Sequence, residues 1–521
     1  MLGTFPHARR CRFGSRPGRS RTRLATSQDR LQRKGQFRVR EVELKLDLTG
    51  AAADALEAAG ILPQTPKIRQ MRAVYHDTPE QDLAQAGVSL RIRAAGGERI
   101  QTIKADGAGN TGLFARSEWE TPVGGDAPIL DDTSPVKALL GDRIQAITPQ
   151  FEVHVERRAW VVTQDDAEIE VVLDRGEVLG EDRRDTICEL ELELKEGAPA
   201  ALFALARKID DIVPVRLGVL TKAERGYRLA EPARSVFKAE PVALDTDMTA
   251  AQAFQHIAQA CLRQFRLNEA VLLADPTPEA LHQARVALRR LRSAFSIFKP
   301  LFSADPGADP FREDLRWLAG ELGHARDLDV LLGRAPAGAL HERIRTARED
   351  AYAHVDAALC SGRVRRLMLD LTQWLTDGPW LLAASTQDRR NEPVRDFAAT
   401  ALERFRKAVK KQGRHLAKMD DETRHELRKS AKKLRYASEF FSALFEARRR
   451  RYQNFVGALE ELQDQLGALN DLATAPEVIS RLGIGDDPEA DALLGKGKRK
   501  ALIGAAAEAY EALVDAKRFW L

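Results

Sequence analysis

The sequence lacks several features, and each absence removes a class of explanation. No apolar run in the 521 residues approaches the roughly 20 that a membrane-spanning helix needs. Cysteine is scarce: Cys11, Cys188, Cys261 and Cys360 are scattered, without the paired spacing of a zinc site or a disulfide framework. That usage fits a reducing compartment, so the expected location is the cytoplasm. The basic N-terminal stretch lacks the apolar core of a secretory signal, and none is expected there.

Charge is abundant and unevenly placed. The net charge is +4, yet residues 1–40 hold 12 Lys or Arg against one acid, Asp29. The rest of the chain is therefore net acidic, and the basic balance does not argue for a nucleic-acid-binding body. Residues 1–36, rich in Arg, Ser and Gly without hydrophobic period, are expected to form a disordered basic tail.

The length suits two or three domains. Residues 37–230 are strand-rich, residues 231–248 contain two prolines and short apolar fragments, and residues 249–521 carry helical period almost throughout. The reading is a mainly β domain, a linker and an all-α domain. The helical half repeats itself. "HQARVALRRLR" at 282–292 matches "HELRKSAKKLR" at 425–435, and "LAGELGHARDL" at 318–328 matches "LQDQLGALNDL" at 462–472. Two pseudo-symmetric helical repeats are expected.

The strands share a habit. In "REVELKLDL", Glu41, Glu43 and Lys45 fall on one parity and Val42, Leu44 and Leu46 on the other. "ELELELKEG" repeats it with Glu189, Glu191, Glu193 and Lys195. Arg91 and Arg93, Thr102 and Lys104, Arg116 with Glu118 and Glu120, and Glu168, Glu170 and Asp174 do likewise. One solvated face would explain a single strand. Six strands with faces made almost wholly of Arg, Lys and Glu point instead to a closed antiparallel β-barrel with a charged lumen and an apolar outside covered by short helices. Carboxylates suit a hard divalent cation, Mg²⁺ or Mn²⁺. Arginine and lysine suit phosphate. Together they suit a metal–polyphosphate complex.

These residues carry a resemblance. Glu41-x-Glu43-x-Lys45, "YHDTPE" (75–80), "LRIR" (90–93), "TIK" (102–104), "VERRAW" (155–160), "VVLDRGEV" (171–178), "ELELELKEG" and "TKAERGY" (221–227) resemble, in order, the landmarks of CYTH proteins, the triphosphate tunnel metalloenzymes. Residues 249–521 resemble the CHAD domain, a duplicated helical module held to bind polyphosphate. The whole is similar to CYTH–CHAD fusions of the bacterial inorganic triphosphatase type.

The resemblance implies roles. Glu41, Glu43 and Lys45 match catalytic positions; Glu41, Glu43, Asp174, Glu189 and Glu191 match metal-site acids, with Glu118 and Glu120 as further candidates. Lys45, Arg91, Arg93, Lys104, Arg116, Arg157, Lys222 and Arg225 match phosphate-binding positions. The implied reaction is hydrolysis of tripolyphosphate to pyrophosphate and phosphate. A non-catalytic polyphosphate binder targeted to granules and an adenylyl cyclase of the same fold are the alternatives.

In the helical half, His282, Arg285, Arg289 and Arg292 project within an arc of about 80° on a helix. His425, Arg428, Lys432 and Arg435 have identical spacing. Two basic stripes lining one groove are expected to take long-chain polyphosphate. "HARDLDVL" at 324–331 has a counterpart, "ALNDLATA", without His or Arg, so binding without catalysis is expected there.

Overall fold

The computed structural model describes residues 39–105, 112–131, 134–232, 234–481, 483 and 498–521; the basic tail expected over 1–36 lies outside them. The alternating segments form nine antiparallel strands: β1 (Val39–Asp47), β2 (Lys67–Asp77), β3 (Val88–Ala95), β4 (Glu98–Ala105), β5 (Leu113–Pro122), β6 (Thr148–Gln164), β7 (Ala167–Leu179), β8 (Arg184–Glu196) and β9 (Arg216–Leu217). Their order is β5-β4-β3-β2-β6-β7-β8-β1-β9. The sheet curls, and β5 pairs with β1 as well as with β4. In β1, Lys45 stands opposite Glu191 and Glu43 opposite Glu193.

The parity read from the sequence sorts the faces. Leu44, Leu46, Ile169, Val171, Leu173, Leu190 and Leu192 are buried on the outside of the curl. They pack against α1 (Gly50–Ala58) and α2 (Ala200–Asp210), in a core continuous with that of the helical half. A smaller core under Leu83, Val136 and Leu140 covers the outer face of β3 and β4.

The inside is not charged along its whole length, a departure from the expected lumen. At one end Tyr75, Phe151, Val153, Val155, Val178 and Ile187 form an apolar cluster with Ala223, Tyr227 and Leu229. The last three belong to α3 (Lys222–Ala230), which packs on that end from within. Gly226 permits the approach, since a Cβ there would lie 2.0 Å from the Phe151 ring.

The remainder is helical: α4 (Ala250–Ala274), α5 (Pro278–Ile297), α6 (Ala308–Leu332), α7 (Gly362–Asp377), α8 (Asp421–Phe440) and α9 (Arg449–Arg481) are its main elements used below. Caps sit where the sequence changes character. Thr249 and Gln252 form a capping box on α4, and Thr277 and Asp420 accept backbone N–H bonds at the starts of α5 and α8. The Pro-containing connection between the halves is irregular but pinned: Phe237 N–H donates to Asn268 Oδ1 at 3.0 Å, and Val242 and Leu244 are buried. Arg207–Asp370 at 2.8 Å and Arg365–Asp210 at 2.5 Å tie α2 to α7. Among the described residues no helix is long and apolar enough to cross a membrane.

Candidate active site

Curling the sheet brings distant acids and bases together. Asp174 on β7 and Glu189 and Glu191 on β8 present carboxylate oxygens within 4.8 Å of one another. Lys222, the first residue of α3, reaches into them: its Nζ lies 2.7 Å from Asp174, 2.5 Å from Glu189 and 2.9 Å from Glu191. Lys45 from β1 donates to Glu189 at 2.8 Å and Glu191 at 2.5 Å. Arg157 from β6 grips Asp174 with two bonds, 2.8 and 2.5 Å, and Glu191 at 2.9 Å.

Three carboxylates thus face three cations; Asp174 and Glu189 are 0% and Lys45 1% exposed, Lys222 is buried, and Glu191 and Arg157 are half-buried. Burial alone would neutralise such groups. Here it opposes the charge on Lys45 and Lys222, but the surrounding carboxylates outweigh it and raise both pKa values. Burial likewise acts against Asp174, Glu189 and Glu191, and Lys222 with its cationic neighbours overrides it, holding all three acids below their usual range. The cluster is a fully ionised, neutral core.

Above it opens a cavity of about 280 Å³. Arg91, Arg93, Lys104 and Arg157 line it with Glu43, Glu118, Glu120 and Glu191. Arg93 lies 3.2 Å from Glu120, and Lys104 3.4 Å from Glu118. Arg91 hydrogen-bonds only weakly to Tyr75 Oη, at 3.4 Å. The guanidiniums crowd one another: Arg91 first, then burial and Arg157, push Arg93 down to about 10. Lys195 belongs to the same wall but is held by Glu170 and Glu193, at 2.8 and 2.7 Å.

Of the other expected residues, Arg225 stands outside the cavity wall, with its guanidinium 3.0 Å from Asp47 and 3.2 Å from Asp185. The side chains of Glu41 and Arg116 lie outside the described residues, though their backbones pair across β1 and β5. Thr221, which caps α3 and lines the cavity, was not singled out from the sequence. Its signal was present: Thr-x-x-Glu before a helix is a capping box.

The acid cluster suits a hard divalent cation. All its donors are carboxylate oxygens, and one buried oxygen, Glu189 Oε2, has no hydrogen-bond partner. In this structure the ammonium of Lys222 touches all three acids.

The helical half also gathers its stripes. Helices α5 and α8 pack together, and Lys432 is titrated by both. Burial, then Arg428, Arg289, Arg435 and Arg285, lower its pKa to about 6. Arg285 faces Asp327 and Arg326 of α6. His282 is lowered by burial and then by Arg326, a residue the stripe pattern did not include. His425 is occupied by Asn470, with Nδ1 at 2.6 Å from its amide oxygen. Arg435 is tied to Gln463 at 2.9 Å and Glu439 at 2.8 Å. Arg292 has Arg316 as its charged neighbour and stands apart from the group around Lys432.

Comparison with known proteins agrees with this division. The CYTH domain matches residues 39–227 and the CHAD domain residues 256–480. The inorganic triphosphatase of Haemophilus influenzae is 29% identical over 162 residues, 30% of this chain and 44% of that relative. The match thus spans less than half of that relative's length. An uncharacterized protein of Mycobacterium tuberculosis is 26% identical over 440 residues, 76% of this chain and 82% of that one. The crystal structure of the CHAD domain from the plant Ricinus communis aligns at 30% identity and a TM-score of 0.45, covering 55% of this chain and 98% of that chain.

Proposed function

The chain is a CYTH–CHAD fusion, and from that premise we propose that its sheet is a metal-dependent inorganic triphosphatase and its helical half a polyphosphate dock. One observation carries the reading. Arg91, Arg93 and Arg157 converge on one cavity with the lumen acids, and Arg91 and Arg157 crowd Arg93 enough to depress its pKa. Mutually repelling guanidiniums beside carboxylates call for a ligand that carries anion and cation together.

In this reading the curled sheet is a closed tunnel, supported by the β1–β5 ladder. Arg91, Arg93 and Lys104 bind the outer phosphate oxygens of tripolyphosphate. Asp174, Glu189 and Glu191 would hold Mg²⁺ or Mn²⁺, with Glu43 in the cavity wall. When bound, the metal supplies charge neutralisation on the leaving pyrophosphate and acidifies the attacking water. Lys222, which lines the cavity, would meet a phosphate oxygen. Lys45 and Arg157 keep the carboxylates ionised and oriented. Water reaches the chain from the open, charged end, because the α3 end is packed with Tyr75, Phe151 and Tyr227. The work is positioning and electrostatics.

The dock reading rests on the group around Lys432. Its two halves read as repeats: His282 and His425 are each the fifth residue of a 20-residue helix. Gly323 lies against Arg285 as Gly467 does against Arg428. We place the tunnel unit at 37–230, the connection at 231–248 and the dock at 249–521, and we assign the protein to the cytoplasm and polyphosphate granules.

The test is phosphate release from tripolyphosphate, ATP and long-chain polyphosphate with Mg²⁺ or Mn²⁺, wild type beside Glu43→Ala. Release from tripolyphosphate that the substitution abolishes supports the enzyme. No release from any substrate, with polyphosphate still bound, overturns it in favour of a binder. Cyclic AMP from ATP makes it a cyclase.

A further inference from the structure

The two lysines of the ionised core share a support that the tunnel does not supply. Residues 216–221 run as a strap between α2 and α3. On its inner side Gly218 rests on the stem of Lys45, where a Cβ would lie 2.7 Å from Cγ, and Gly218 N–H donates to the Lys45 carbonyl at 2.8 Å. The strap ends at Thr221, and the next residue is Lys222. On its outer side, two successive outward carbonyls are held by the helical half. Leu217 O accepts from Arg266 Nε at 3.0 Å, and Val219 O accepts from Arg263 Nη1.

Arg263 does a second thing. Its Nη2 lies 2.5 Å from Glu224 Oε1. The other oxygen of Glu224 accepts the Thr221 N–H at 2.8 Å, while Thr221 Oγ1 accepts the Glu224 N–H at 3.1 Å. That capping box fixes the first turn of α3, and so the point from which Lys222 departs. Burial raises the Glu224 pKa, but Arg263 and the Thr221 amide win and keep it ionised. Arg266 is 4% exposed and paired with buried Glu269, so the grip is built into the core of α4.

We propose that Arg263, with Arg266, is a positioning residue: the helical half sets the placement of Lys45 and Lys222 in the tunnel through the 216–221 strap and the α3 cap. This rests on the triphosphatase reading for its kinetic consequence, but the clamp itself does not. Docking of the helical half is then part of the hydrolytic site, beyond any part it plays in binding polyanion. A guanidinium bonded at once to a carbonyl of the strap and a carboxylate of the first turn of α3 fixes both position and direction.

The test uses the full chain as wild type, Arg263→Ala, Arg263→Lys and Glu224→Gln. Two quantities are read: amide hydrogen exchange across 217–226 by mass spectrometry, and kcat and KM for tripolyphosphate with Mg²⁺ or Mn²⁺. We expect Arg263→Ala to speed exchange in 217–226 by about tenfold or more while 282–297 and 425–435 keep wild-type protection. We expect kcat to fall at least about tenfold with KM changed less, because misplacement of a charged group by a fraction of an ångström taxes the transition state. Arg263→Lys should recover part of kcat, and Glu224→Gln, which breaks the same clamp from the other side, should reproduce the loss. Unchanged exchange in 217–226, or faster exchange with unchanged kcat, overturns the proposal. If the wild type cleaves no phosphoanhydride, the triphosphatase reading falls. The exchange result, with tripolyphosphate affinity in place of kcat, then decides the clamp alone.

Discussion

Two desolvated lysines, one buried and one half-buried, divide this molecule. Lys222, inside the curled sheet, touches three carboxylates, and its pKa is raised well above the ordinary value. Lys432, between two packed helices, is desolvated and surrounded by Arg428, Arg289, Arg435 and Arg285, and its pKa drops to about 6. Desolvation acts on both in the same direction. The neighbours decide the outcome. An acid cluster that meets each of its charges with an opposite one is organised before ligand arrives, so ligand must exchange for contacts already made. A group of cations that depress one another's charge around Lys432 is favoured by an added anion. The first arrangement suits chemistry on a metal–phosphate complex, the second capture of a polyanion.

Removing the tunnel lysine should have the largest effect. Lys222→Ala removes one of the three cations that balance Asp174, Glu189 and Glu191, leaving Lys45 and Arg157 to face three acids, and breaking a buried charge cluster costs about 3–5 kcal/mol. Thermal unfolding should show the loss, and tripolyphosphate turnover should fall by about a hundredfold to a thousandfold. Unchanged turnover would erase the contrast between the two sites. Arg91→Ala comes next. It removes a charge-assisted phosphate contact of about 1.5–3 kcal/mol, expected as a KM rise of about tenfold or more with folding intact. Steady-state kinetics with a melting curve check both.

The groove is probed by pH. Free Lys432 has a pKa of about 6 against 10.5 unperturbed, so the folded protein holds fewer protons than the unfolded chain between those values. On that account stability rises with pH across the window and falls as pH drops toward 6. A bound polyanion restores the proton. Polyphosphate affinity should therefore fall by about tenfold or more from pH 6 to 8, with proton uptake visible by calorimetry in buffers of different ionisation enthalpy. Lys432→Gln should flatten that profile. The smallest effect belongs to His425→Ala: Asn470 already occupies its ring, and a change in affinity under about threefold is the scale of one screened contact.

The contrast between the sites was partly legible in the sequence. Alternation in β1 and β8 identified Glu43, Lys45, Glu189 and Glu191 as facing inward, because period two is a local property of a strand. What stands opposite them is not local. Lys45 meets Glu191 through a register between strands some 146 residues apart in sequence, which no single stretch encodes. The apolar end was missed for a related reason: Val153 and Val155 share parity with Arg157, and only the arrival of α3 makes them core. In the helices, period placed the stripes on one face each, but Arg326 joins from α6 by tertiary packing. The connection at 231–248 read as loose because it has no period, yet Asn268 pins its backbone from another element.

The central claim is that the groups acting on the phosphoanhydride lie in the sheet and the groups that capture long polyanion lie in the helical half. Its most direct test is phosphate release from tripolyphosphate with Mg²⁺ or Mn²⁺, measured beside polyphosphate binding, in the full chain carrying either Glu191→Gln or Arg289→Ala. The account predicts that Glu191→Gln stops release and leaves long-chain polyphosphate bound at wild-type strength, while Arg289→Ala weakens that binding and leaves release intact. Release that survives Glu191→Gln, or disappears with Arg289→Ala in a folded protein, would contradict it.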